Sequence, residues 1–114
     1  MTISSQDGPI IFAGYPWALR VTTEAAKFPV GATFRAQVRV KPSSTSALAE
    51  MTTANSGVAR VDDYNADLVL TDIQTAAFPT TGSVWIDLVR TDQSPSRHLG
   101  FLLEVPVALP VTRV

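Results

Sequence analysis

Few side chains in this sequence could do chemistry, and each has a plainer use. His98 is the only histidine. A nucleophilic site would set it beside a serine, and Ser94 and Ser96 are the nearest in sequence. Neither serine lies in a Gly-x-Ser-x-Gly elbow, so His98 reads as a surface or turn histidine. The run "VDDYNAD" gathers Asp62, Asp63, Asn65 and Asp67. A hard cation takes several such oxygens, but the EF-hand spacing is missing. Asp and Asn also favour tight turns, so the run reads as a turn between strands. Asp87 stands between Trp85 and Val89 in an apolar stretch. A carboxylate there needs a partner if it is buried. Arg35 or Arg39 from a neighbouring strand is the expected one. Trp17 and Trp85 could stack a sugar ring if either is exposed.

The stretch "TFRAQVRVKP" sets Arg35, Gln37, Arg39 and Lys41 on one face of an extended chain. Three cations in that spacing could grip phosphates. The chain as a whole argues against it, with nine Lys and Arg against ten Asp and Glu. Nucleic-acid binders carry a basic excess or block, and single-strand binders interleave aromatics with their cations. Neither is found. The face is expected to be a solvated sheet surface or a protein interface.

The positioning elements follow from a period of two. In Thr33 to Pro42, Phe34, Ala36, Val38 and Val40 alternate with the polar set. In "HLGFLLEVPVAL", Leu99, Phe101, Leu103, Val105, Val107 and Leu109 share a face. Pro106 cannot donate to a ladder, so that strand is at an edge there or bends. "SVWIDLVRT" carries apolar bulk on both faces, which makes it a central strand or one whose second face meets a partner. Weaker strands are expected at 18–23, 47–52, 57–61 and 66–70. Turn chemistry separates them in "KFPVG", "KPSSTS", "TANSG" and "FPTTG". Thr71 with Gln74 three residues on forms a capping box for one short helical turn.

These spacings predict an all-β fold, a single antiparallel β-sandwich of Ig-like or jelly-roll-like type with one short helical turn. A chain of 114 residues suits one domain over 1–114, with 1–8 and 110–114 as extended or flexible arms. There is no cysteine, so disulfides and thiolate sites are excluded. The N-terminus lacks the basic and apolar regions of a signal peptide, and no apolar run could span a bilayer as a helix. No Gly-rich phosphate loop occurs. The expectation is a protein without cofactor or metal, and no enzyme.

The order of segments adds to this reading. "TFRAQVR" precedes a hydrophobic strand that enters a Thr-rich helical turn, Leu68 to Pro79. A glycine then leads into an aromatic–x–Asp–Leu strand, Gly82 to Leu88. An apolar strand closes near "VTR", Leu99 to Arg113. Over about 80 residues this order resembles small virion proteins of tailed bacteriophages and prophages, nearest to the N-terminal sandwich of baseplate upper proteins. Glu104 and Pro106 stand where that pattern carries a glycine, and Trp85 where it more often has tyrosine. The resemblance implies a non-enzymatic structural component of the tail, baseplate or connector region. It would act by self-assembly, as a homo-oligomer, and by binding other virion proteins. It implies no direct nucleic acid and no membrane. Such a protein is made in the host bacterial cytoplasm and ends in the virion. Capsid decoration is the nearest alternative. A carbohydrate- or peptide-binding sandwich module, using Trp17 or Trp85, is the alternative of another class. The candidate interface is Arg35, Gln37, Arg39, Lys41, Trp85 and Asp87, with acidic groups such as Asp62, Asp63 or Asp92 of a neighbour as its counterpart.

Overall fold

The computed structural model describes residues 2, 3 and 10–112. Its elements in chain order are β1 (Thr2–Ile3), β2 (Ile11–Phe12), β3 (Trp17–Thr22), β4 (Phe34–Arg39), β5 (Ala49–Thr52), β6 (Val58–Asp62), β7 (Asn65–Leu70), α1 (Asp72–Ala76), β8 (Ser83–Arg90) and β9 (Arg97–Ala108). They form two sheets, one of four strands in the order β1-β3-β7-β6 and one of five in the order β2-β9-β8-β4-β5. The fold is the expected all-β sandwich. The pairings are antiparallel except β2 with β9, which is parallel.

Alternation builds the core. Trp17, Leu19 and Val21 of β3 and Ala66, Leu68 and Leu70 of β7 point inward from the smaller sheet. Phe34, Ala36 and Val38 of β4, Val84, Ile86 and Leu88 of β8, and Leu103, Val105 and Val107 of β9 meet them from the larger one. Phe28 sits with its ring edge toward Phe34, centroids 5.2 Å apart, a favoured aromatic geometry. Two residues expected inward lie outside: Val40 and Leu109 are exposed. Each falls just past the end of its strand, where the pleat no longer fixes its direction.

β8 is the central strand that its two apolar faces suggest, flanked by β9 and β4. Pro106 lies near an edge, as its missing N–H requires. Val107 donates to the Gly82 carbonyl in the turn before β8, so alternation turns the Pro106 nitrogen to the other side. There only the two-residue β2 follows, paired at Val107 and Ala108.

Helix α1 begins with the predicted capping box. The Thr71 hydroxyl accepts from the Gln74 N–H, and the Gln74 side chain accepts from the Thr71 N–H. Behind it the buried Thr75 hydroxyl accepts from the Gly14 N–H at 3.1 Å and donates to the Tyr15 carbonyl at 2.8 Å. It thereby ties the β2–β3 turn to the helix. Gly14 has φ +87°, a conformation natural to glycine.

The free side of β5 is closed by side chains. Thr53 donates to Phe34 of β4, so Glu50 and Thr52 turn their backbone groups away from β4. The Asn55 carboxamide accepts from the Thr52 N–H at 2.8 Å and donates to the Glu50 carbonyl at 3.1 Å. Gln74 donates to the same carbonyl at 3.3 Å. These are two of the four backbone groups that Glu50 and Thr52 would offer a sixth strand.

At the N-terminus, Thr2 and Ile3 pair with Thr22 and Val21. At the other end Pro110 is buried, and the Tyr15 hydroxyl donates to the Thr112 carbonyl at 2.6 Å. The remainder of the expected arms, 1, 4–8, 113 and 114, lies outside the described residues.

Candidate functional site

Cross-strand register sorts the outer face of the five-stranded sheet into rows. Glu104, Trp85 and Arg39 form one row across β9, β8 and β4. The next holds Leu102 and Asp87, then Gln37 and Glu50 across β4 and β5. The third holds His98, Val89, Arg35 and Thr52. Five of the six candidate interface residues therefore share one surface: Arg35, Gln37, Arg39, Trp85 and Asp87. Lys41 lies beyond the end of β4, in the exposed turn that follows.

Hydrogen bonds order the polar half of this face. Arg39 donates to the Ser44 carbonyl at 2.9 Å and to Gln37 Oε1 at 2.7 Å. Gln37 in turn donates to Glu50 Oε2 at 2.9 Å, and Arg35 pairs with the same oxygen at 2.6 Å. The bonds from Gln37 and then Arg35 hold the Glu50 carboxyl below its usual pKa. The apolar half runs from the half-buried Trp85 to Leu102, which is 54% exposed, with Phe12 at the β2 edge 43% exposed. Between the halves lies a shallow hollow lined by Gln37, Arg39, Pro42, Trp85, Asp87 and Leu102. A second hollow adjoins it and shares Gln37 and Asp87.

Asp87 has a different partner from the expected arginine. Its Oδ2 lies 3.0 Å from His98 Nε2, while Arg35 and Arg39 are held by Glu50, Gln37 and Ser44. The cause is a bulge in β9. Asp87 faces Leu102 but Val89 faces His98, so Leu99–Phe101 carries two extra residues opposite Leu88. Gly100 turns there with φ +89°, and its N–H donates to His98 Nδ1 at 2.9 Å. The proton of a neutral His98 ring therefore sits on Nε2 and points at Asp87. With both ring nitrogens engaged, neither faces a serine hydroxyl.

Trp17 is in the core at 5% exposure, so it presents no face to a ligand. Its phase with Leu19 and Val21 is the signal that places it inward. The acidic run forms the β6–β7 turn. Asp62 accepts from the Tyr64 N–H and from the Asn65 side chain, which keep its carboxyl below the usual value. Asp63 pairs with Arg60, and Asp67 with Arg20. Asp92 takes two bonds from Arg90, at 2.7 and 3.0 Å, and these hold its carboxyl down at a pKa of about 2. Among the described residues, no group of three His, Cys, Asp or Glu is placed to hold a metal ion, and no helix is long and apolar enough to cross a membrane.

The outer face of the four-stranded sheet differs in kind. Arg20 and Asp67 make a two-bond ion pair across it, and Thr22 bonds to Asn65. Ala18 and Ala59 occupy neighbouring positions. Interfaces concentrate Trp and Arg rather than small side chains, so the β8-centred face is the candidate site. Comparisons with models of protein families, with curated proteins and with solved structures give no match.

Proposed function

We propose that the chain is a non-enzymatic structural component of a bacteriophage particle, in the tail, baseplate or connector region. It works by binding copies of itself and other virion proteins. The observation that carries the reading is the single face on which Trp85, Arg35, Gln37, Arg39 and Asp87 are gathered beside exposed apolar groups. Trp and Arg in a partly desolvated setting are the side chains that most often anchor protein contacts. The segment order resembling small virion proteins supplies the biological setting. Decoration of a capsid would use the same face and differ only in the partner.

The test is direct. Particles are purified from bacteria that carry the gene, then analysed by mass spectrometry and immunogold labelling. The chain is expected in the particles, with gold at the tail. Gold over the capsid would favour decoration, and absence from all particles would overturn the proposal.

One observation favours a second reading. Trp85 borders a hollow together with Gln37, Arg39 and Asp87, and an aromatic surface beside hydrogen-bonding groups suits a sugar ring. A carbohydrate-binding module would show a tryptophan fluorescence change with glycans that Trp85→Ala removes. A flat response across a glycan panel eliminates it.

A further inference from the structure

The face is charged unevenly from side to side. On β4 it carries Arg35 and Arg39, with Lys41 just past the strand end; Glu50 of β5 pairs with Arg35, which leaves Arg39 and Lys41, among the described residues, as the unmatched cations of this side. On β8 and β9 it carries Asp87, which His98 contacts, and Glu104, which accepts from the Ser83 hydroxyl. Register sets Trp85 between the two halves, with Arg39 on one flank and Glu104 on the other. A two-fold axis lying in the face along β8 exchanges β4 with β9. It lays Trp85 on its mate, Arg39 on Glu104 of the second copy, and Glu104 on Arg39 of the second copy. Arg39 meets Glu104 twice, as an isologous contact requires, while Gln37 falls on Leu102 and Arg35 on His98 of the second copy. An axis across the strands would set Arg39 on Arg35 and is disfavoured.

One edge of each sheet is blunted against strand addition, which favours a face over these edges. The β5 edge is closed by Asn55 and Gln74. The β6 edge is interrupted by a register shift between Arg60 and Asp62, which blunts strand addition.

We infer that the outer face of the β2-β9-β8-β4-β5 sheet binds a second copy of this chain across a strand-parallel two-fold axis at Trp85. The inference rests on the assembly reading above. Asp87 is the residue that opposes the contact, because it faces its mate one row from the centre. Aligned sheets cross at about 30°, which separates the two carboxylates without removing the repulsion. Strands ~4.8 Å apart and rows ~6.8 Å apart make a face roughly 20 Å on a side. That is smaller than the ~800 Å² per partner of a standard interface. The pair is therefore weak alone and strengthened when other contacts array many copies.

Sedimentation equilibrium of the purified chain, up to about 1 mM, tests it. A monomer–dimer equilibrium is expected. Arg39→Glu and Glu104→Arg should each weaken it at least tenfold, and the double variant should recover most of the loss. Asp87→Asn should tighten it, an effect that damage to the fold would not produce. Thermal unfolding of each variant checks that it remains folded. A chain that stays monomeric throughout, or a dimer indifferent to both reversals, overturns the inference. A strict monomer that still copurifies with particles sinks this contact and leaves the assembly reading standing. A dimer with the expected variant pattern that is absent from particles supports the contact and sinks that reading.

Discussion

Replacing Thr75 by valine keeps the side-chain volume and removes one hydroxyl. That hydroxyl is fully buried and serves both the Gly14 N–H and the Tyr15 carbonyl. A buried polar group left without its partner costs about 1–3 kcal/mol. Both groups are half-buried, so water relieves part of the loss, and a total of about 2–3 kcal/mol is expected. In a domain of this size that lowers the melting temperature by roughly 10 °C. Thr75→Ser is the discriminating control. It keeps both bonds and loses one methyl, at a cost of about 1 kcal/mol. Thermal and urea unfolding should therefore rank the wild type first, the serine variant second and the valine variant last. Amide exchange at Gly14 should quicken in the valine variant alone. If the valine variant proves as stable as wild type, or more stable than the serine variant, the bridging hydroxyl does not hold the turn to the helix and the reasoning fails.

Other expectations follow from the same geometry. Gly57→Ala would place a methyl 2.6 Å from the Met51 Cα and 2.7 Å from Asn55 Oδ1; overpacking of this kind costs about 1–3 kcal/mol, which urea titration reads directly. Trp17→Ala should cost about 3–5 kcal/mol, whereas Trp85→Ala should cost far less. Acrylamide should quench Trp85 fluorescence well before Trp17, as single-tryptophan variants would report. Asp92 titrates lower in the folded chain, at about 2 against an ordinary 3.8. The unfolded chain then binds more protons between those values, so this stabilisation is complete above the ordinary value and disappears as pH falls through the folded one. Acid titration of Asp92→Asn should show a shallower loss of stability in that window; an unchanged slope would mean the Arg90 pair is not formed in solution.

The strongest strands were legible because alternation is a local property. Phe34–Arg39 and Ser83–Arg90 declare two faces in eight residues or fewer, and Thr71 with Gln74 declares the helix start. The core place of Trp17 is a miss: the strand is expected only from residue 18 and the ring as a stacking surface, although its phase with Leu19 and Val21 carries the inward signal. β2 was not legible. Two residues carry no period, and their pairing with Val107 and Ala108 exists only once the sandwich closes. The partner of Asp87 was hidden for a similar reason. It depends on strand order, which leaves Arg35 beside Glu50, and on a bulge whose register turns on Gly100. The candidate face was half legible: Arg35, Gln37 and Arg39 announce a surface, but only the sheet order sets Trp85 beside them.

The closure of β5 by Asn55 has a chemical lifetime. Deamidation would replace the Asn55 amide nitrogen by oxygen. The new carboxylate could still accept from Thr52 and Gly57, but it would face the Glu50 carbonyl with no proton to offer. The Glu50 carbonyl would then keep only the longer bond from Gln74, at 3.3 Å, on the open side of the sheet. Ageing at alkaline pH, followed by mass spectrometry and thioflavin fluorescence, should show fibril growth tracking the gain of one mass unit at Asn55. Asn55→Asp should form fibrils without the delay, and a variant that stays clear would break the link. The durability of this one amide would then set how long the open side of β5 stays closed.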